Sequence, residues 1–391
     1  MKKIIIIMLS TFLIIAFAGC NANIGNNSTN NSEPKELDEI LIQIKNEFNI
    51  PALGAIILSS SSIIDKAIIG VRSIESNEET TFEDNFHLGS NTKAITGFIS
   101  GKLAEDGKIG WDTKFFDLFP ELKESSREDY HLISLSDLLS HRANILLFKT
   151  VNREIMDKIP ASEGDIKYRR LKFCEYVLQE EPERPFFKTY AYSNAGYVMA
   201  AAMLEKVSSI SWEELVQKVM VDELKMSVNT GWPIDIGNDQ PRGHLPGSYM
   251  GKESDSLVIY DKDYHFENED IIYPAGDLNI KMLDYARYIQ LNLQGLRGFD
   301  NYLSSDTYEF IHFGIPYYSI GWENSKDGSL NISQHSGSKG NFFCHTYIIK
   351  EKDMAIIVFA NSGILNALNP IEYYQGGKKL DAYLQLIENL Y

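Results

Sequence analysis

The sequence predicts an α/β chain of the α+β kind: a mixed, mainly antiparallel sheet flanked by helices, with an all-helical subdomain inserted into it. Two observations carry this. Short β-branched runs separated by polar turns occur near both ends of the chain, and the long stretch between them repeats its apolar residues at a helical period. Such a chain makes one sheet only if its two ends meet, which leaves the middle as a helical lobe.

The elements follow in order. Lys2 and Lys3 precede the apolar run IIIIMLSTFLIIAFA, which ends at Ala18, Gly19 and Cys20. The run is short of the ~20 residues a spanning helix needs. With small residues before a cysteine, it reads as a signal peptide over 1–19 and lipidation at Cys20, although Phe17 stands where Leu is more usual. Residues 20–36, rich in Asn and Ser, read as a solvated tether. The expected location is therefore outside the cytoplasm, with a lipid anchor on the extracytoplasmic face of a bacterial membrane.

The folded domain is expected over 37–391. It opens with a helix whose Leu37, Ile40, Leu41, Ile44 and Phe48 share a face, stopping before Pro51. ALGAIIL and IIDKAIIGV, parted by four serines, read as a hairpin, as do FFCHTYIIK and MAIIVFAN around EKD. NAGYVMAAAMLEKVS reads as an amphipathic helix with Ala195, Val198, Met199, Ala202 and Met203 as its stripe, and KMLDYARYIQLNLQ is also helical in period. Leu380, Leu384, Ile387 and Tyr391 mark a closing helix.

Composition narrows the function. At 391 residues, with 44% hydrophobic and 23% charged, the chain can bury a substantial core. A formal net charge of −17 argues against nucleic acid as a partner and against a polybasic membrane site. After Cys20 only Cys174 and Cys344 remain, too few for a disulfide framework; they could pair in an exported protein, but two buried thiols are the expectation.

The chemistry centres on FHLGSNTKAITG. S-x-x-K occurs at Ser32/Lys35, Ser90/Lys93 and Ser336/Lys339. The first lies in the tether and the last in HSGSKG, which reads as a Gly-flanked loop before a strand. Ser90 alone is followed by a helical pattern, so Lys93 falls about one turn from its hydroxyl. Helix-start N–H groups favour developing negative charge, and a desolvated lysine can act as a base. The plain alternative is an N-cap serine beside a solvated lysine. Y-x-N occurs once, at Tyr192 and Asn194, where a hydroxyl can relay protons and an amide can position a carbonyl, although most of the 21 tyrosines must be packing residues. In QHSGSKGNFF, Gly337 allows close backbone approach and the Ser338 N–H can face an oxyanion.

Together and in this order the pieces resemble the serine β-lactamase and penicillin-binding-protein superfamily, most of all its class C-like branch of β-lactamase-related esterases and D-amino-acid peptidases. FHLGSNTKAITGFISGKLAEDGKIGWDTKFFDLFPEL, ISLSDLLSH, YAYSNAGYVMAAAMLEKVS, YPAGDLNIKMLDYARYI, YYSIGWE and QHSGSKGNFF follow in family order. The resemblance implies a β-lactamase/transpeptidase-like fold with Ser90 as the acylated nucleophile and Lys93 and Tyr192 as a coupled acid and base. It places Asn194 on the substrate carbonyl, His335 at the third motif, and the Ser90 and Ser338 N–H groups in the oxyanion hole. No metal or organic cofactor is implied. The substrate expected is an ester or a D-amino-acid amide of peptidoglycan type; the alternatives are a β-lactam, or capture of such molecules with little turnover. Three departures bear on this. His335 replaces a lysine that helps β-lactamases hold a carboxylate, Asp277 in PAGD stands where glycine is common, and His141-Arg142-Ala143-Asn144 replaces a usual Ser-Gly.

Overall fold

The computed structural model describes residues 37–363 apart from 149–152, 160–163, 184–187, 251–253, 255 and 261–266. The expected signal peptide, tether, Cys20 and closing helix lie outside the described residues. In chain order come α1 (Leu37–Glu47), β1 (Ala52–Leu58), β2 (Ile63–Gly70), β3 (Asn85–His87), α2 (Thr92–Glu105), α3 (Ile166–Val177) and α4 (Asn194–Ser208). Then follow β4 (Val228–Thr230), β5 (His244–Pro246), β6 (Leu257–Ile259), β7 (Leu278–Lys281), α5 (Met282–Leu296) and α6 (Ser305–Phe313). The last strands are β8 (Glu323–Asp327), β9 (Leu330–Lys339), β10 (Phe342–Ile349) and β11 (Met354–Ala360).

The two ends of the described chain meet in a six-stranded sheet of order β2-β1-β11-β10-β9-β8, antiparallel at every pair. Leu53 of β1 lies opposite Ala360 of β11, so both expected hairpins are joined edge to edge. Every residue of β1 is buried because both faces of the sheet are covered. Ile56 and Leu58 join Phe342, Cys344, Ile357 and Phe359 in the large core, while Leu53, Ala55 and Ile57 join Ile356 and Val358 against Leu37, Ile40, Leu41 and Ile44 of α1. The alternation is the two-residue period of a strand. Each such aliphatic side chain contributes about 1.5–3 kcal/mol on burial.

Two expectations are corrected. α4 is not amphipathic: Ala195 through Glu205 are buried all round, because α2, α3 and the short helix Leu135–Leu139 pack on its different sides. The HSGSKG segment is not a loop ahead of a strand but the end of β9 itself. The turn comes one residue later, at Gly340 and Asn341 with φ of 58° and 61°, the two positive values a tight two-residue hairpin needs. Cys174 on α3 and Cys344 on β10 are free, buried thiols, as expected.

The helical lobe is tied by Arg170 of α3, which is buried and forms ion pairs with Glu205 of α4 and Glu213. The same Glu205 carboxylate accepts the Trp212 N–H at 2.9 Å.

Candidate active site

Gly89–Asn91 form a single 3₁₀ turn that runs directly into α2. Gly89 takes a φ of 52°, and a Cβ there would lie 2.4 Å from the Ser338 nitrogen. A Cβ on Gly337 would lie 2.1 Å from the Leu88 carbonyl oxygen and 2.7 Å from the Ser90 nitrogen. Two glycines thus let β9 lie against the turn with no side chain between them, which makes the Ser90 and Ser338 backbones neighbours. The turn is pinned from below: Asn91 Nδ2 donates to the Cys344 carbonyl at 2.8 Å, and Thr92 Oγ1 accepts the Leu278 N–H at 3.1 Å.

Lys93 is fully buried, and its Nζ has three oxygen neighbours. These are the Ala275 carbonyl at 2.5 Å, Asn194 Oδ1 at 2.8 Å and Ser90 Oγ at 3.3 Å. Burial depresses this amine well below the ordinary lysine range; Lys339 adds to the effect and Asp277 opposes it. The first two neighbours only accept hydrogen bonds. In its neutral form, with both N–H groups given to these acceptors, the amine would have its lone pair left for the Ser90 hydroxyl within reach.

The Tyr192 hydroxyl faces Ser90, and its ring centroid is 4.8 Å from Lys93 Nζ. Burial raises its pKa and Ser90 offsets only part of that rise, so it keeps its proton near neutral pH. His141, at φ 61°, accepts the Ser193 N–H on Nδ1 at 3.0 Å and packs against Tyr192 in a tilted pair with ring centroids 4.2 Å apart. Asn194 gives Oδ1 to Lys93, while its Nδ2 donates to the Phe148 carbonyl at 2.9 Å. The amide expected to meet a substrate carbonyl is thus held by protein at both ends. His335 donates Nδ1–H to the Ser336 carbonyl at 2.7 Å and accepts the Tyr318 hydroxyl on Nε2 at 2.9 Å. Burial, helped by the charge of Lys93, lowers its pKa to about 3, so it is a neutral imidazole. Among the described residues no group of three or more His, Cys, Asp or Glu is arranged to hold a metal ion.

The model of the Beta-lactamase family matches residues 37–376 of the sequence. The chain belongs to the beta-lactamase family. It is similar to the unguisins hydrolase ungD' of Aspergillus campestris, 23% identical over 368 residues, which cover 89% of this chain and 65% of that protein. It is also similar to Protein flp of Staphylococcus aureus, 19% identical over 337 residues, covering 85% of this chain and 64% of that one. The chain thus spans just under two thirds of the length of these curated relatives. A penicillin-binding protein homologue from Pyrococcus abyssi, described as octameric, superposes with a TM-score of 0.66 at 20% identity over 84% of this chain and 73% of that chain. A class C beta-lactamase from Rhodobacter sphaeroides gives 0.67 at 16% identity over 89% of this chain and 99% of that chain. These structures show the fold, which is the β-lactamase/penicillin-binding-protein-like one that the sequence resemblance implied.

Within this beta-lactamase-family site, the residues singled out from sequence come together, although Ser90, Asn194 and His335 arrive on three separate elements. Sequence reasoning missed four side chains. His141 and Tyr318 sit in quoted stretches, LLSH and YYSIGWE, but nothing in their spacing showed that they face Tyr192 and His335. His87 accepts the Gly89 N–H on Nδ1 at 2.9 Å, and its Nε2 lies 3.3 Å from Asp277 Oδ1. Asp277 in turn pairs with Lys339, whose ammonium also meets Glu269 at 2.9 Å. Burial favours a neutral Asp277, but Lys339 and His87 outweigh it and hold the carboxylate ionised. His87 and Glu269 carried no sequence signal beyond an H-x-G and an acidic run.

Proposed function

We propose that this chain is a serine hydrolase that forms an acyl-enzyme at Ser90 on an ester or a D-amino-acid amide of peptidoglycan type. The observation that carries the reading is the buried Lys93 amine, held by the Ala275 carbonyl and Asn194 Oδ1 with its Nζ 3.3 Å from Ser90 Oγ. In the reaction Lys93 takes the Ser90 proton as Oγ bonds to the acyl carbon. The oxyanion gathers on the Ser90 and Ser338 N–H groups, and Tyr192 passes a proton to the departing alkoxide or amine as its bond to the acyl carbon breaks. Water then repeats the sequence in reverse and frees Ser90.

His335 supports the ester or amide over a β-lactam, since a neutral imidazole already bonded at both nitrogens offers a substrate carboxylate no positive charge. One structural neighbour, SurE, was solved with D-Leu, which lends weight to the D-amino-acid arm. A second reading, a penicillin-binding sensor with little turnover, draws on Asn194, whose Nδ2 must leave Phe148 before it can meet a substrate.

Intact-protein mass spectrometry during incubation with a 4-nitrophenyl ester, and separately with benzylpenicillin, tests both. The hydrolase reading expects a transient ester adduct mapped to Ser90 and absent in Ser90→Ala. A long-lived penicillin adduct favours the sensor, and no Ser90 adduct with either reagent overturns both. We also propose export and lipidation at Cys20, on the strength of residues 1–20. Membrane-extracted protein should carry a lipid on an N-terminal Cys20, and Cys20→Ser should release it.

A further inference from the structure

β9 carries two basic side chains on the face it turns to the nucleophile. His335, Gly337 and Lys339 alternate with Ser336 and Ser338, so the three share that face. Gly337 sits at the Ser90 nitrogen, and each basic residue lies two positions away, about 7 Å along the strand. The two therefore flank Ser90. His335 is neutral and bonded at both nitrogens. Lys339 is the site's cation on the other flank, still 21% exposed, and its charge is close enough to act on the Lys93 amine.

That cation is engaged from behind. Asp277, 1% exposed, and Glu269, 6% exposed, both pair with its ammonium.

We propose that Lys339 is a sequestered carboxylate anchor: Asp277 and Glu269 hold its ammonium in ion pairs, and this turns the site away from acyl substrates that bear a free carboxylate. The inference rests on acylation at Ser90 and names the substrate class that the site disfavours. An ammonium stripped of its two buried counter-charges takes the next anion that reaches it, and a substrate carboxylate beside Ser90 is such an anion. Asp277 and Glu269 are then specificity-determining residues that act through Lys339.

The test uses a matched pair of esters of adipic acid, each with one 4-nitrophenyl group, the other end either a free carboxylate or its methyl ester. Ser90 acylation is timed for wild type, for Glu269→Gln/Asp277→Asn, and for that variant with Lys339→Met added. The expected result is a rise of about tenfold in the anionic-to-neutral rate ratio in the double variant, the size of one charge-assisted hydrogen bond, and its loss in the triple variant. A structural defect lowers both rates together and cannot raise the ratio. An unchanged ratio overturns the proposal, and so does an equal rise in the triple variant, which assigns the effect to the lost carboxylates alone.

Should the double variant not fold, wild-type protein decides. Acetic anhydride should modify Lys339 at least tenfold more slowly than the exposed Lys206. Equal rates mean that the ammonium is free, and the proposal falls. Failure of the underlying reading looks different, because wild type then gives no Ser90 adduct with the neutral ester.

Discussion

Gly337→Ala probes how closely β9 lies on the nucleophile turn. A methyl group there would sit 2.1 Å from the Leu88 carbonyl oxygen, 2.7 Å from the Ser90 nitrogen and 2.8 Å from the Asn91 nitrogen. Carbon and oxygen settle at about 3.3 Å or more, so strand and turn must part by about 1 Å. Nothing yields cheaply, since all three obstacles are backbone and the turn is tied to β10 through Asn91 and Cys344. A displacement of about 1 Å in a positioned group costs on the order of 100-fold in rate, and a lost oxyanion donor costs about the same or more. Acylation of Ser90 by the neutral ester should therefore slow about 100-fold, a barrier increase near 2.7 kcal/mol. Overpacking should also remove about 1–3 kcal/mol of stability, visible as a thermal midpoint lower by several degrees. Rapid-quench mass spectrometry gives the rate and circular dichroism the midpoint. Acylation within threefold of wild type, at unchanged helix and sheet content, would refute the argument that close contact with β9 sets the nucleophile's surroundings.

Other expectations follow from the same geometry. Burial lowers the Lys93 pKa, so its neutral form persists to lower pH than an ordinary lysine allows; the acylation rate should reach its plateau at a pH well below the ordinary lysine pKa and fall as acid reaches the depressed one. A rate still climbing toward pH 10 would contradict this. Tyr192→Phe keeps the ring contact with His141 but removes the hydroxyl proposed to carry the proton, and turnover should drop by about 10²–10⁴-fold with the melting temperature nearly unchanged. Burial holds the imidazoles of His244 and His345 down at about 4 and those of His312 and His335 at about 3. Between their ordinary pKa of about 6.5 and these values the unfolded chain binds protons that the folded one refuses, so stability should fall with falling pH there. The slope is up to about 1.4 kcal/mol per pH unit for each refused proton, measurable by urea titrations at pH 7, 6 and 5. Arg170→Met leaves Glu205 buried without its counter-charge and should cost about 3–5 kcal/mol in the same titrations.

The parts legible in the sequence are those with a local cause. The helix over Leu37–Glu47 declared itself by one apolar face, the hairpins by β-branched runs around polar turns, and the Ser90–Lys93 approach by a three-residue offset at a helix start. The parts that stayed hidden depend on where topology carries distant segments. α4 looked amphipathic because Gly196, Ala200 and Ala201 read as neutral filler off the stripe, whereas they are the small residues that let neighbours close in on every side. HSGSKG looked like a loop because two glycines flank it; Gly337 is there for close approach inside a strand, and only Gly340 turns the chain. Lys339 was visible as a charge, but Asp277 and Glu269, which decide what that charge does, reach it only after β7 and β9 have been brought to the same end of the lobe.

The pairing of Leu53 with Ala360 also dictates an order of assembly. A chain emerging from its N-terminus makes β1 before β11, so one edge of β1 must wait until Met354–Ala360 has been made before its partner exists. Contacts of such high sequence separation are slow to form, and an apolar edge left open meanwhile invites the wrong strand. β9 is late for the same reason. A nascent chain can fold its nucleophile turn and helical lobe and still have no Ser338 to set beside Ser90. The proposed oxyanion site is therefore incomplete until β9 has been made, and a chain cut short before it would lack one of that site's two donors.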